Sequence, residues 1–298
     1  MDSSNEEFKS VCKKLIEINK IRIITMKEMK LSKHKKDKIG EGGQAVVYHG
    51  LLGDIDVAVK VLTDIDWKSL SNELIIIANI VHDNIPKFYG IITENNKIEM
   101  VFEYIEGRTL DEFKDNNFSV FSDSEKLNMI KGLAGAIDTI YKNNFIHRDL
   151  KPENIIIDKN KKPYIIDFGI AKVLMDSNQI ATRAKGTLNY VPPEVFEEEE
   201  GGDDNSDMFI SLVTHKVDVW AFGCIVSYLF SGNPPWTPKY NNNESIIMEK
   251  LRKKVAFPIP QKVKDEEIRK IIAMCTEVKK DKRPDITGVK EVLDKIIF

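Results

Sequence analysis

Cysteine is scarce in this chain, with three among 298 residues. Cys12, Cys224 and Cys275 lie far apart with no CxxC pair, so neither a disulfide framework nor a structural zinc site is expected, and a reducing cytosol fits best. Long apolar runs are also missing: none approaches the roughly 18 residues a membrane helix needs. The first residues, Met1-Asp2-Ser3-Ser4-Asn5-Glu6-Glu7, are acidic and polar where a secretory signal is basic and then apolar. A soluble cytoplasmic protein with no integral membrane segment is therefore predicted. A large charge imbalance is absent too; the net charge of −3 gives no global electrostatic reason to expect nucleic acid or an anionic membrane as partner. The basic stretch from Lys27 to Lys38 reads as a solvated connector. No internal repeat marks a solenoid.

What remains is an ordinary globular composition, long enough for two domains or one bilobal one. Phe8, Val11, Cys12, Leu15, Ile16 and Ile18 recur at roughly helical spacing, which predicts an amphipathic helix over 8–18 that covers a small domain or docks a partner. From Lys38 the pattern turns β-like. Ala45 to Tyr48 and Val57 to Val61 read as strands of an antiparallel hairpin that turns at Gly53-Asp54. A helix over 70–81 sets Leu70, Leu74, Ile77 and Val81 on one face, with Glu73 beside them, and strands follow over 88–92 and 98–102. Beyond Gly107 the helices lengthen. The longest covers 124–142, capped by Ser122 or Ser124. A short hairpin, 155–158 with 163–166, interrupts them. The apolar run Val219 to Phe230 predicts a buried helix opened by Asp218 as N-cap, Asn241 to Asn243 a loop, and 266–278 and 285–297 closing helices.

Chemistry concentrates in Ile146 to Asn154, I-H-R-D-L-K-P-E-N. There Asp149 could take a proton from a hydroxyl, Lys151 could meet phosphate charge, and the side-chain oxygen of Asn154 could ligate Mg²⁺. Asp167, in Asp167-Phe168-Gly169 after the hairpin, is a second candidate oxygen ligand. Gly40-Glu41-Gly42-Gly43-Gln44-Ala45 lies between strands, where missing side chains let backbone N–H groups approach phosphate; a plain hairpin turn is the alternative. Because Ala45 to His49 reads as strand rather than helix, the context argues against a dinucleotide-binding loop. Lys60, in a β-branched strand, and Glu73, the only acid of its apolar helix, could pair and aim the amine at phosphates.

Together these motifs resemble the protein-kinase catalytic domain, from about residue 37 to the C-terminus and in the family's order. They are the glycine loop Ile39 to Val47, Val57-Ala58-Val59-Lys60, Glu73, His147 to Asn154, Asp167-Phe168-Gly169, Pro192-Pro193-Glu194, Asp218 to Gly223, and Arg283. The resemblance implies an α+β, bilobal protein-kinase-like fold: a small antiparallel β-rich N-lobe with one main helix (about 37–103) and a larger, mostly helical C-lobe (about 107–298). Residues 1–36 would form an N-terminal extension. It further implies an ATP-dependent kinase with Mg²⁺ and a protein substrate. Asp149 would handle the hydroxyl proton and Lys151 the transferring charge, Asn154 and Asp167 would hold Mg²⁺, and Lys60, paired to Glu73, would hold the α- and β-phosphates. Gly40, Glu41, Gly42, Gly43, Gln44, Ala45 and Val46 would cover the phosphates. The adenine would meet Ile39, Val47, Ala58, Phe102 and Ile156, with backbone bonds to Glu103 and Ile105. Glu194 and Arg283 look like the family's structural ion pair.

Three positions depart from the pattern: Ala45 for the third loop glycine, Pro192 for the usual Ala, and a long interval between Glu194 and Asp218. That interval carries Glu197 to Glu200 with Asp203, Asp204 and Asp207, and reads as a solvated insert. Lys151-Pro152-Glu153 and Gly186 to Tyr190 resemble Ser/Thr-kinase patterns. Ser177 and Thr182 are phosphorylatable in the segment 170–191, where Arg148 could meet a phosphate, and Thr187 is expected to contact the catalytic loop. The alternatives are a pseudokinase or scaffold, a dual-specificity kinase, or a small-molecule kinase. The first often lacks the strand Lys, catalytic Asp or metal Asp, all present here, and the last normally lacks Pro193-Glu194 and the Asp218 motif. Oligomeric state leaves no trace in the sequence.

Overall fold

The computed structural model describes residues 3–31, 34, 37–42, 45–63, 65–94, 97–116, 118–169, 171–173, 180–182, 188–196, 211–237, 239–241 and 243–297. The chain divides into two compact units, Met1–Glu106 and Gly107–Phe298.

The first unit is an antiparallel sheet with two helices. Its strands are β1 (Met29–Leu31), β2 (Lys38–Glu41), β3 (Ala45–Leu52), β4 (Ile55–Leu62), β5 (Phe88–Glu94) and β6 (Lys97–Glu103). The order is β1-β3-β4-β6-β5, with β2 also paired to β3. The turn at Gly53-Asp54 is where the sequence places it, and Gly53 adopts φ +62, a conformation glycine enters without steric cost. Alternation then sorts β4. Val57 and Val59 are fully buried in a core with Ile24, Met29, Leu52, Ile92 and Val101, so Ala58 and Lys60 occupy the opposite face.

The basic connector is corrected at Met29–Leu31. These residues form a strand paired with β3, Met29 opposite Leu52 and Leu31 opposite Gly50. Two apolar residues around one lysine are too short a pattern to stand out in a basic stretch, and the sheet edge supplies the missing specification. Helix α1 (Ser3–Glu17) buries Phe8 and Leu15, while Ile18 is 61% exposed beyond its end. Helix α2 (Trp67–Asn79) starts at Asp66, whose side chain accepts the N–H groups of Lys68 and Ser69. It ends before Val81, which is 87% exposed rather than on the predicted apolar face.

In the second unit, β7 (Gly107–Thr109), β9 (Ile155–Asp158) and β10 (Pro163–Ile165) form one small sheet. β8 (Phe145–Ile146) pairs with β11 (Lys172–Val173), and β12 (Ile180–Thr182) with β13 (Ser211–Val213). The helices are α3 (Asp123–Lys142), α4 (Lys216–Ser231), α5 (Glu244–Arg252), α6 (Glu266–Cys275) and α7 (Ile286–Leu293). Ser122 caps α3 in a capping box with Glu125, while Asn243, expected within a loop, caps α5 by accepting the N–H of Ile246. Helix α3 packs on α7, and α4 on α6. At the second contact a Cβ on Gly223 would sit 2.6 Å from that of Cys275, so close helix approach demands glycine there.

Asp218 is not an N-cap, contrary to expectation. Helix α4 begins two residues earlier, after His215, and Asp218 lies in its first turn, 2% exposed.

Candidate active site

The first unit gathers its candidates on one sheet face. Lys60 lies opposite Val47 on β3 and Met100 on β6, and Ala58 lies opposite Phe102. Directly opposed residues of an antiparallel pair share a face, so Ala45, Val47, Ala58, Lys60 and Phe102 look the same way. Glu103 ends β6, its backbone N–H already donated to Lys87 O, and Ile105 follows, half-buried. Ile39 is 45% exposed on β2. Gly40, opposite Val47, and Glu41, opposite Val46, complete that strand.

Gly42 donates its N–H to Ala45 O at 2.9 Å. No described protein atom lies within 4 Å of where its Cβ would be, so packing does not account for this glycine. Gly43 and Gln44 lie outside the described residues. Lys60 Nζ donates to Glu73 Oε1 at 2.6 Å, the two side chains 15% and 7% exposed. The strand lysine and the helix acid, thirteen residues apart, are therefore paired as the sequence suggests.

In the second unit the loop from His147 to Asn154 is held by a carboxylate from another element. Arg148 has φ +70, a left-handed setting that costs a non-glycine residue about 1–2 kcal/mol. The turn points the N–H groups of His147 and Arg148 at Asp218, which accepts them at Oδ2 (2.7 Å) and Oδ1 (2.8 Å). Two successive N–H groups around one anion form a stable nest. Burial nevertheless raises the Asp218 carboxyl above its ordinary range, against the pull of these two donors. Burial also lowers the Arg148 guanidinium, which Asp218 partly offsets.

His147, fully buried, is locked between two backbone groups. Its Nδ1 accepts the Asp149 N–H at 3.3 Å, so Nε2 carries the proton and donates to Ile166 O, also at 3.3 Å. Asp149 is thereby fixed at its backbone, and its side chain at one oxygen. Oδ2 accepts Lys151 Nζ (2.7 Å) and Asn154 Nδ2 (3.0 Å), and Asn154 Nδ2 also donates to Asp149 O (2.8 Å). Oδ1 takes no hydrogen bond among the described residues.

The hairpin β9–β10 brings its two ends together, Ile155 opposite Ile165 and Ile166 N–H on Asn154 O at 2.9 Å. Asn154 before the hairpin and Asp167 after it consequently share one end. Asp167 is also left-handed, with φ +64, and its Oδ1 accepts the Gly169 N–H at 3.2 Å. Ile156 sits half-buried on β9. The structure thus brings together Asp149, Lys151, Asn154 and the base of Asp167 in this unit, and Lys60 with Glu73 in the other.

Two positioning residues, His147 and Asp218, escape a reading that looks for groups able to touch a substrate. The available signal for Asp218 is an acid flanked by Val217, Val219 and Trp220, because a carboxylate in an apolar helix must have donors aimed at it. Asp218→Asn would set an amide N–H₂ against one of the two N–H donors. The expected loss is about 1–3 kcal/mol of unfolding free energy, measurable by denaturant titration; an unchanged midpoint would show that the two bonds do not hold the loop.

The regulatory candidates are placed only in part. Thr182 ends β12 with its backbone opposite Ser211, whereas Ser177, Thr187 and the acidic insert around Glu197 to Asp207 lie outside the described residues.

Among known proteins the chain is 27% identical over 288 residues to rust resistance kinase Lr10 of Triticum aestivum, covering 89% of this chain and 44% of that protein. It is 32% identical over 209 residues to cysteine-rich receptor-like protein kinase 1 of Arabidopsis thaliana, covering 67% and 32%. With serine/threonine-protein kinase Nek10 of Homo sapiens it shares 29% identity over 241 residues, covering 79% and 19%. The chain spans less than half the length of each of these three. The family model described as the protein kinase domain matches residues 33–294. With that match over most of its length, the motifs in order and the sheet-then-helix fold, this chain belongs to the protein kinase domain family.

Proposed function

We propose that this chain transfers the γ-phosphoryl group of Mg-ATP to Ser or Thr hydroxyls of protein substrates. The observation that carries the reading is the Asp149 carboxylate, with Lys151 and Asn154 on Oδ2 and Oδ1 left for an incoming hydroxyl. An acceptor at Oδ1 orients the hydroxyl and takes its proton. Lys151, held 2.7 Å from that carboxylate, sits where positive charge offsets the charge that spreads over the transferring phosphoryl oxygens. In the other unit Lys60 is the cation for the nucleotide phosphates. Glu73 orients it, and the shared face of Val47, Ala58 and Phe102 offers apolar cover for the base.

The donor set also fits Mg²⁺. Asn154 uses its Nδ2 on Asp149, so its Oδ1 is the atom that would ligate a cation, and Asp167 offers a carboxylate at the same end of the hairpin. Hard oxygen ligands in small number, completed by water and phosphate, are what Mg²⁺ takes. When bound it would supply positive charge that offsets the charge of the nucleotide phosphates.

Lys151-Pro152-Glu153 favours Ser/Thr acceptors, and the serine/threonine-protein kinase named among the relatives agrees with that choice. A cytoplasmic location goes with the reading, in keeping with three free cysteines, two of them buried. Among the described residues no helix is long and apolar enough to cross a membrane.

Radiolabelled ATP with a generic protein acceptor tests the proposal. Label is expected on phosphoserine and phosphothreonine, and label on phosphotyrosine alone would overturn the acceptor assignment. Lys60→Met is expected to lower kcat/KM for ATP by about 10²-fold, through loss of an electrostatic contact to the phosphates; an unchanged ratio would remove Lys60 from the site.

A further inference from the structure

Helix α1 lies before the residues matched by the family model, 33–294, yet it packs directly on α2, the helix that carries Glu73. The composition of α2 explains why it needs such a cover. Consecutive helical residues point about 100° apart, so Ile75-Ile76-Ile77 with Leu70 and Leu74 spread apolar surface over more than one side. Leu70, Leu74, Ile76 and Ile77 are all at most 4% exposed.

On α1 the buried residues Phe8 and Leu15 are seven positions apart and therefore share a face, with Val11 and Cys12 half-buried between them. The Phe8 ring meets Trp67, the first residue of α2, with centroids 5.3 Å apart and planes tilted by 48°. Trp67 follows directly on the Asp66 cap.

The segment after α1 is fixed as well. Ile24 N–H donates to Ile91 O at 2.8 Å and Ile91 N–H to Arg22 O at 2.9 Å, which joins residues 22–24 to the edge strand β5. A Cβ on Gly90 would lie 2.2 Å from Arg22 O, so that junction requires glycine. Helix α1 is thus tied to the sheet behind it and seated on the start of α2, from which Glu73 is less than two turns away.

We propose that Phe8 is a positioning residue: seated on Trp67, it sets the rotation and axial position of α2, and with them the Glu73 carboxylate on Lys60. The proposal rests on the kinase reading for its kinetic consequence but not for its structural one. The full chain is compared as wild type, Phe8→Ala, Phe8→Leu, Glu73→Gln and the double variant Phe8→Ala/Glu73→Gln. Three measurements are made on each: amide hydrogen exchange, the rate of Lys60 acylation by an amine-reactive acetylating reagent, and KM for ATP with kcat.

Phe8→Ala is expected to speed exchange in residues 67–79 while α4 and α6 stay protected, to accelerate Lys60 acylation, and to raise KM for ATP about tenfold, as misplacement of a remote support does. Phe8→Leu should restore KM to within about twofold, since an apolar side chain of similar volume keeps the contact. In the Glu73→Gln background Phe8→Ala should change KM no further, because the two act through one pair. Additive effects, unchanged exchange and acylation, or failure of Leu to rescue would each overturn the proposal. If wild type transfers no phosphate, the kinase reading fails, and exchange with acylation still decides the role of Phe8.

Discussion

Asp149→Asn lowers kcat by about 10³-fold, within the 10²- to 10⁴-fold that a positioned acid–base group contributes, and leaves ATP affinity within about twofold of wild type. The substitution keeps volume and shape, so the loop should survive it. The backbone N–H of residue 149 still reaches His147 Nδ1, and Asp218 still holds the two preceding amides. What disappears is a carboxylate whose one oxygen is braced by Lys151 and Asn154 while the other takes no hydrogen bond among the described residues. An amide cannot take a proton from a hydroxyl, and it leaves Lys151 without its anionic partner. Steady-state incorporation of phosphate, with nucleotide binding measured separately, checks both halves. Unchanged turnover in Asp149→Asn would sink the proposed mechanism; a loss confined to ATP affinity would move the role of Asp149 from chemistry to nucleotide binding.

Arg283→Met destabilises the second unit by about 3–5 kcal/mol, because breaking a buried pair from one side leaves an uncompensated charge. Arg283 is 1% exposed and Glu194 is 3% exposed. Their contact is bidentate, Nη1 to Oε1 at 2.7 Å and Nη2 to Oε2 at 3.0 Å. Nε and Nη2 also donate to Glu277 O at 3.0 and 2.9 Å, and Nη1 to Lys216 O at 2.9 Å. All five guanidinium N–H groups are therefore used, and the guanidinium lies 5.0 Å from the Trp220 ring centre.

The substitution strands the Glu194 carboxylate and two carbonyls together. Its expected signature is a fall of roughly 6–20 °C in the unfolding midpoint, at about 2–4 °C per kcal/mol for a unit of this size. The control is Lys290→Met, which breaks the exposed i,i+4 pair with Asp294 at 2.6 Å and should cost no more than about 0.5 kcal/mol. Equal shifts in the two variants would show that burial of the Arg283 pair carries no special weight.

Much of the fold was legible because its signals are local. The turn at Gly53-Asp54, the alternation in Val57 to Val61 and the capping of the long helix by Ser122 or Ser124, settled by the structure as Ser122, each depend on residues within a few positions of one another. The Lys60–Glu73 pair was legible for a related reason: a lone cation and a lone acid in otherwise apolar segments must find partners. The Glu194–Arg283 pair, expected from the family resemblance, is also present, but other elements depend on long-range contacts that no local signal marks. Strand β1 exists because β3 offers Leu52 and Gly50 to Met29 and Leu31, not because a basic stretch favours a strand. Val81 matches the helical period of Leu70 and Leu74, yet α2 stops at Asn79 and leaves it in solvent.

Asp218 is the clearest case. By position alone an acid before a long apolar run reads as an N-cap, and its side chain was expected to serve its own helix. Instead it serves a loop some 70 residues earlier in the chain.

By itself the sequence determined which chemical groups exist, in what order, and which short segments curl or extend, since propensity, periodicity and capping act over a few residues. Only the tertiary structure decided the encounters that neither a local signal nor a motif announces. Asp218 under His147 and Arg148, and Phe8 on Trp67, join residues 59 to 71 positions apart. Such encounters follow from how apolar faces pack and how buried polar groups are satisfied, and neither is written in any local stretch of chain.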